Sequence, residues 1–134
     1  WQVFRVRPDT CGTKVVWRDI AQTLETHMVS PDAIPLNTLY YLPCPTQEAG
    51  RAIQSFLESA PTRAFARASA ERARGGYRRH FAWVVRLLPT PPALVEAILN
   101  GQCPTQSTEE LLGLTTLEVQ RLKAWLKGEE AIWS

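Results

Sequence analysis

The hydrophobic pattern changes period at the PCP breaker, residues 43–45, and that change limits what the chain can fold into. Before it, KVVWRDI (14–20) and LNTLYYL (36–42) cluster β-branched and aromatic residues, the composition of strands. After it, Ala49, Ile53, Phe56, Leu57 and Ala60 fall on one stripe with Arg51 opposite, at a spacing of about 100° per residue, so 46–59 is expected as an amphipathic helix. Pro61 suits the first turn of a second helix, which the sequence carries through TRAFARASAERAR to a stop at Gly75 and Gly76. Upstream, VFRVR (3–7) is separated from KVVWRDI by the turn-like PDTCGT, so the two form a hairpin or neighbouring strands, and SPDAIP (30–35) is a loop. The expected fold class is therefore α+β: a small mixed or antiparallel sheet packed with a helix pair.

Beyond the glycines, HFAWVVRLLP (80–89) is rich in valine, phenylalanine and tryptophan, which predicts a strand ended by Pro89, and PTPP is a stiff linker. The remainder is a helical tail. PALVEAILNG is a short helix with a glycine stop, STEELLG opens with a Ser107…Glu110 capping box, and TTLEVQRLKAWLKG opens with a Thr115…Glu118 box. The expected organisation is a core over 1–90 and a tail over 91–134 packed on it. Two helices around Gly113 also match the order of a helix-turn-helix. The second of them, however, offers only Arg121, Lys123 and Lys127 beside Glu118, with no base-reading surface, so packing is the expected role.

The net charge of +2 conceals a segregation. Residues 51–86 carry eight arginines against Glu58 and Glu71, whereas 87–134 carry three basic against six acidic side chains and 1–50 are nearly balanced. Every positive charge of the middle block is arginine, whose planar fork suits phosphate oxygens and guanine edges. A polyanion partner is expected, with a plain solvated basic face as the alternative. On a helix running to Arg74, Arg63, Arg67 and Arg74 line one face within about 40°, while Arg72 points away. Small alanines surround them, and Arg78 and Arg79 follow the glycines, so that Arg74, Arg78 and Arg79 can converge on one side of the turn.

Other classes fit less well. No run of about 18 apolar residues exists to span a bilayer. The start, WQVFRVRP, lacks the design of a signal peptide and suggests a piece of a longer protein. Cys11, Cys44 and Cys103 form no C-x-x-C pair and have no histidine at ligand spacing, which fits a reducing, cytoplasmic setting without structural zinc. His27 and His80 stand alone, and no nucleophile elbow, Walker A loop or dinucleotide fingerprint is present. No catalytic residue is assigned to the chain. Trp17 and Trp83 are expected in the core, as is at least one of Tyr40 and Tyr41, which alternate in direction.

Taken in order, KVVWRDIA (14–21), IPLNTLYYLPCP (34–45), the helix pair and RARGGYRRHFAWVVRLLPTP (72–91) resemble the C-terminal target-recognition region of bacterial N6-adenine DNA methyltransferases, the TaqI-like specificity domain of restriction-modification enzymes. The resemblance spans about 10–91. It implies that methyl transfer from S-adenosylmethionine belongs to a separate N-terminal methyltransferase domain, and that this chain holds double-stranded DNA against it and selects the sequence. By position it carries over Lys14 and Arg18, the N-T-x-Y residues Asn37, Thr38 and Tyr40, and the turn Gly75, Gly76, Tyr77, Arg78 and Arg79. On physical grounds Arg63, Arg67 and Arg74 would track phosphates, the backbone N–H groups of Gly75 and Gly76 would meet one closely, and Arg78, Arg79 or Asn37 would reach base edges. For Asn37 and Thr38 a strand-start turn is the alternative. Two other classes stay open: a protein-interaction module docking through Trp125, Leu126 and Trp133, and an RNA-binding accessory domain.

Overall fold

The computed structural model describes residues 13–30, 39–80 and 86–133. Strand β1, Lys14–Arg18, is the centre of a three-stranded antiparallel sheet between β3, Thr26–Val29, and β4, Leu39–Pro43. Its composition explains the place: four of its five residues are buried, so both faces of the strand are covered. On the core face Val15 sits opposite Met28 and Leu42, and Trp17 opposite Thr26 and Tyr40. Trp17 and Tyr40 stack across the strands with ring centroids 5.7 Å apart.

Helix α1, Gln47–Leu57, packs against β1 and β3. Thr46 caps it, its hydroxyl accepting from Ala49 N–H at 3.1 Å and donating to the Gly101 carbonyl at 2.7 Å. Gly101 has φ +70°, and a Cβ there would stand 2.9 Å from the Thr46 methyl, so this junction requires glycine. The expected stripe is the buried face: Ala49, Ile53, Phe56, Leu57 and Ala60 are all inside.

Helix α2 differs from expectation. It runs Ala60–Ser69 and stops five residues before Arg74, because Ala70 is buried in an extended conformation and the chain then enters a second sheet. That sheet has the order β2-β6-β5, from β2, Ile20–Ala21, β5, Glu71–Arg72, and β6, Arg78–Arg79, with a 3-10 turn at Arg74–Gly76. Helix propensity over SAERAR loses here to strand pairing. Residues 81–85 of the expected strand over 80–89 lie outside the described residues, but Arg86 is helical, so no strand reaches Pro89. VFRVR and Trp83 also lie outside them, and β3 has no counterpart among the expected strands.

The tail is helical as expected. Helices α3, Pro92–Leu99, α4, Thr108–Leu111, and α5, Thr116–Trp133, follow one another. Leu94 of α3 belongs to the same buried cluster as Val15, Trp17 and Phe56. The Thr115–Glu118 box is reciprocal: Glu118 N–H donates to the Thr115 hydroxyl at 3.2 Å and Thr115 N–H to the Glu118 carboxylate at 2.9 Å. Helix α5 lies against α2 and against the 3-10 turn, which joins the tail to both arginine-bearing segments. Among the described residues no helix is long and apolar enough to cross a membrane.

Candidate nucleic-acid interface

The early end of α2 breaks the expected arginine stripe. Arg63 and Arg67 remain one turn apart on the helix, but both are tied to the connection between β2 and β3. Arg63 donates from Nε to the Leu24 carbonyl at 3.1 Å, and Arg67 from Nη1 to the Gln22 carbonyl at 2.6 Å. Arg67 is buried and Arg63 half-buried. Their guanidinium groups satisfy carbonyls of an irregular segment, a structural use of arginine that withdraws the buried Arg67 from tracking a phosphate backbone, while the half-buried Arg63 is held through its Nε.

Arg74 sits instead at the tip of a hairpin. β5 and β6 pair Glu71 with Arg79 and Arg72 with Arg78, and Ala73 N–H closes the loop on the Tyr77 carbonyl at 2.8 Å. Gly75 adopts φ +74°, the left-handed conformation that glycine enters without the Cβ penalty. The 3-10 residue Arg74 followed by left-handed Gly75 is a backbone arrangement suited to anions, and Gly76 completes the turn.

Strand alternation then separates the two arginines that follow. Arg79 is exposed, whereas Arg78 is 5 % exposed and lies inside with His80. The expected convergence of Arg74, Arg78 and Arg79 is therefore corrected: Arg78 faces inward, and the exposed cations of the hairpin are Arg72, Arg74 and Arg79. Arg72, expected to point away from a helical stripe, is exposed on the edge strand opposite Arg78, while Arg79 stands opposite Glu71 on the other face of the ladder. The sequence signal for this arrangement is a pair of short polar segments around a loop holding two glycines, which is a hairpin pattern.

Beside the hairpin, Arg18 at the end of β1 and Tyr77 line one open groove of about 330 Å³, together with Gln22, Thr23, Glu25 and His27. Tyr77 is 43 % exposed, so its ring is open to the groove. Arg18 and Tyr77 are the two carried-over positions that face this groove. His27 gives no signal in the sequence, since a lone histidine has no spacing to interpret.

Two other expected contacts are placed elsewhere. Lys14 is fully buried in the central strand, its Nζ 3.5 Å from the Ser30 carbonyl, so it has no surface to offer DNA. Tyr40 is half-buried against Trp17 and serves the core. Asn37 and Thr38 lie outside the described residues.

Beneath the hairpin is a buried cationic cluster of Arg67, Arg78 and His80. His80 is 1 % exposed; its N–H donates to the Asp19 carbonyl at 2.6 Å, and its carbonyl accepts the Trp17 indole N–H at 2.9 Å. Burial first, and then the guanidinium groups of Arg67 and Arg78, hold its imidazole down at about pKa 4 from the ordinary 6.5. A neutral imidazole is the form that two adjacent guanidinium groups tolerate. The main-chain bonds of His80 to Asp19 and to the Trp17 indole tie the base of the hairpin to β1 and the residue that follows it. Comparison with family models, curated proteins and solved structures found no match to the chain.

Proposed function

We propose that this chain is a double-stranded DNA-binding target-recognition domain, which positions duplex for a separate adenine-N6 methyltransferase domain of a restriction-modification enzyme. The observation that carries the binding part is the hairpin: Arg72, Arg74 and Arg79 are exposed around a left-handed glycine turn, next to a groove lined by Arg18 and Tyr77. Exposed guanidinium groups contribute little to folding and are suited to phosphate oxygens and guanine edges. The methyltransferase part rests on the ordered resemblance alone. S-adenosylmethionine would be held by the separate domain, and no residue of this chain is assigned to it.

In this reading the hairpin arginines neutralise phosphates and set register, while Tyr77 and Arg18 meet the edge of the duplex at the groove. The test is a salt titration of affinity for a labelled duplex of about 20 base pairs. Log affinity should fall linearly with log salt, and an Arg72→Gln, Arg74→Gln, Arg79→Gln triple variant should shallow the slope by about 3. Selection from a randomised duplex pool should enrich one motif. Absence of duplex binding at low salt, or preference for single strands or RNA, would overturn the reading.

A further inference from the structure

The C-terminal helix carries a second group of cations that the balance of the tail conceals. On α5, Val119, Leu122 and Leu126 form a half-buried stripe, and the helix packs on α2. Lys123 and Lys127 flank that stripe on one side, one turn apart, and both are exposed. They line a crevice between α5 and α2 together with Arg63, Leu126, Ala60 and Glu58. Three cations thus meet one carboxylate, and that carboxylate is directed to β3, where its Oε1 accepts from Thr26 N–H at 3.0 Å and from the Thr26 hydroxyl at 3.1 Å.

Three acidic residues of the tail are used elsewhere. Glu118 closes the helix cap. Glu109 and Glu110 line a different crevice, with Leu94, Ser55 and Ser59. None of these three carboxylates lines the crevice that holds the lysines. The same helix also touches the 3-10 turn Arg74–Gly76, so the crevice and the hairpin tip are connected by one rigid element.

We propose that Lys123 and Lys127 form a second phosphate-contacting limb of the interface, engaging the backbone of the same duplex that the hairpin grips. The proposal rests on the DNA-binding reading above and adds to it the tail, which sequence alone assigns to packing. The spacing is suitable. Residues one turn apart advance about 6 Å along a helix, close to the axial advance of about two phosphates of one DNA strand. Lysine serves as a point charge toward phosphate, without need of base geometry.

The test compares three proteins: the unaltered chain, a Lys123→Gln, Lys127→Gln double variant, and the hairpin triple variant, each titrated with salt against the same duplex. The double variant should unfold at the same denaturant concentration as the unaltered chain and should shallow the salt slope by about 2, since each phosphate no longer neutralised removes roughly 0.9. A slope unchanged in the double variant but shallowed in the triple variant overturns the second limb and leaves the DNA reading standing. Failure of the unaltered chain to bind duplex overturns both.

Discussion

Arg67 and Arg78 differ from Arg72, Arg74 and Arg79 in position by only a few residues, and they do opposite work. The first two are buried, at 6 % and 5 % exposure, and the other three are exposed. A guanidinium group taken from water must be met by acceptors, and Arg67 is met by the Gln22 carbonyl. Such a residue stabilises the fold and is withdrawn from any ligand. The charge of the exposed three faces the solvent from which a polyanion would approach. A run of one residue type is thus divided by the backbone beneath it: the helix end at Ser69 moves Arg72 and Arg74 outward, and strand alternation sends Arg78 inward and Arg79 outward.

The division can be broken from the buried side first. Replacing Arg67→Met keeps the stem and removes the donor to Gln22, leaving a carbonyl unpartnered. We expect a loss of about 2–4 kcal/mol in urea unfolding, with the salt slope of duplex binding unchanged among folded molecules. A slope shallower by about one with stability intact would place Arg67 with the exposed set.

His80 supplies a pH test of the same buried cluster. Its folded-state pKa, about 4, lies below the ordinary 6.5, so the unfolded chain takes up the proton first. The contribution to stability is full above about pH 6.5 and is lost as pH falls toward about 4, by about 3 kcal/mol at most. Denaturation midpoints across this window should fall in the unaltered chain and fall less steeply in His80→Gln. Parallel pH profiles for the two proteins would show that His80 is solvated and the cluster open.

What the sequence discloses follows the strength of its periodic signals. The α1 stripe is legible because Ala49, Ile53, Phe56 and Leu57 repeat at helical spacing, with Ala60 continuing it at the start of α2, and the Thr115–Glu118 box because its chemistry is local. Trp17 is inside, as its β-rich surroundings imply. β3 escapes a reading of the sequence because THMV has no alternation to speak of, and its edge is held by the side chains of Glu58 and Gln54, bonded to Thr26. The end of α2 escapes it for a related reason. SAERAR is a good helix former, and what stops it is burial of Ala70 and entry into a sheet whose β6 pairs with the distant β2, a tertiary event. The error passes to the site, since the arginine stripe depends on a helix reaching Arg74. Lys14 shows the other limit: a basic residue at the head of a strand looks like a ligand contact until the strand proves to be central.

The smallest expected effect falls on the exposed side of the comparison, at Gly75. Its φ of +74° carries a Cβ penalty for other residues, although a Cβ would meet nothing nearer than the Tyr77 ring at 3.7 Å. Space is available and conformation is the constraint. Gly75→Ala should therefore cost about 1 kcal/mol, and Gly75→Asn less, because asparagine enters the left-handed region more readily. Since no charge is removed, the salt slope should hold while duplex affinity falls in the same order, alanine below asparagine below glycine. That order separates two explanations of the hairpin. If the arginines act as unorganised charge, the turn can be re-formed without consequence and all three proteins bind alike. If the turn aims Arg74 and Tyr77, affinity follows backbone conformation at a residue that has no side chain to contribute.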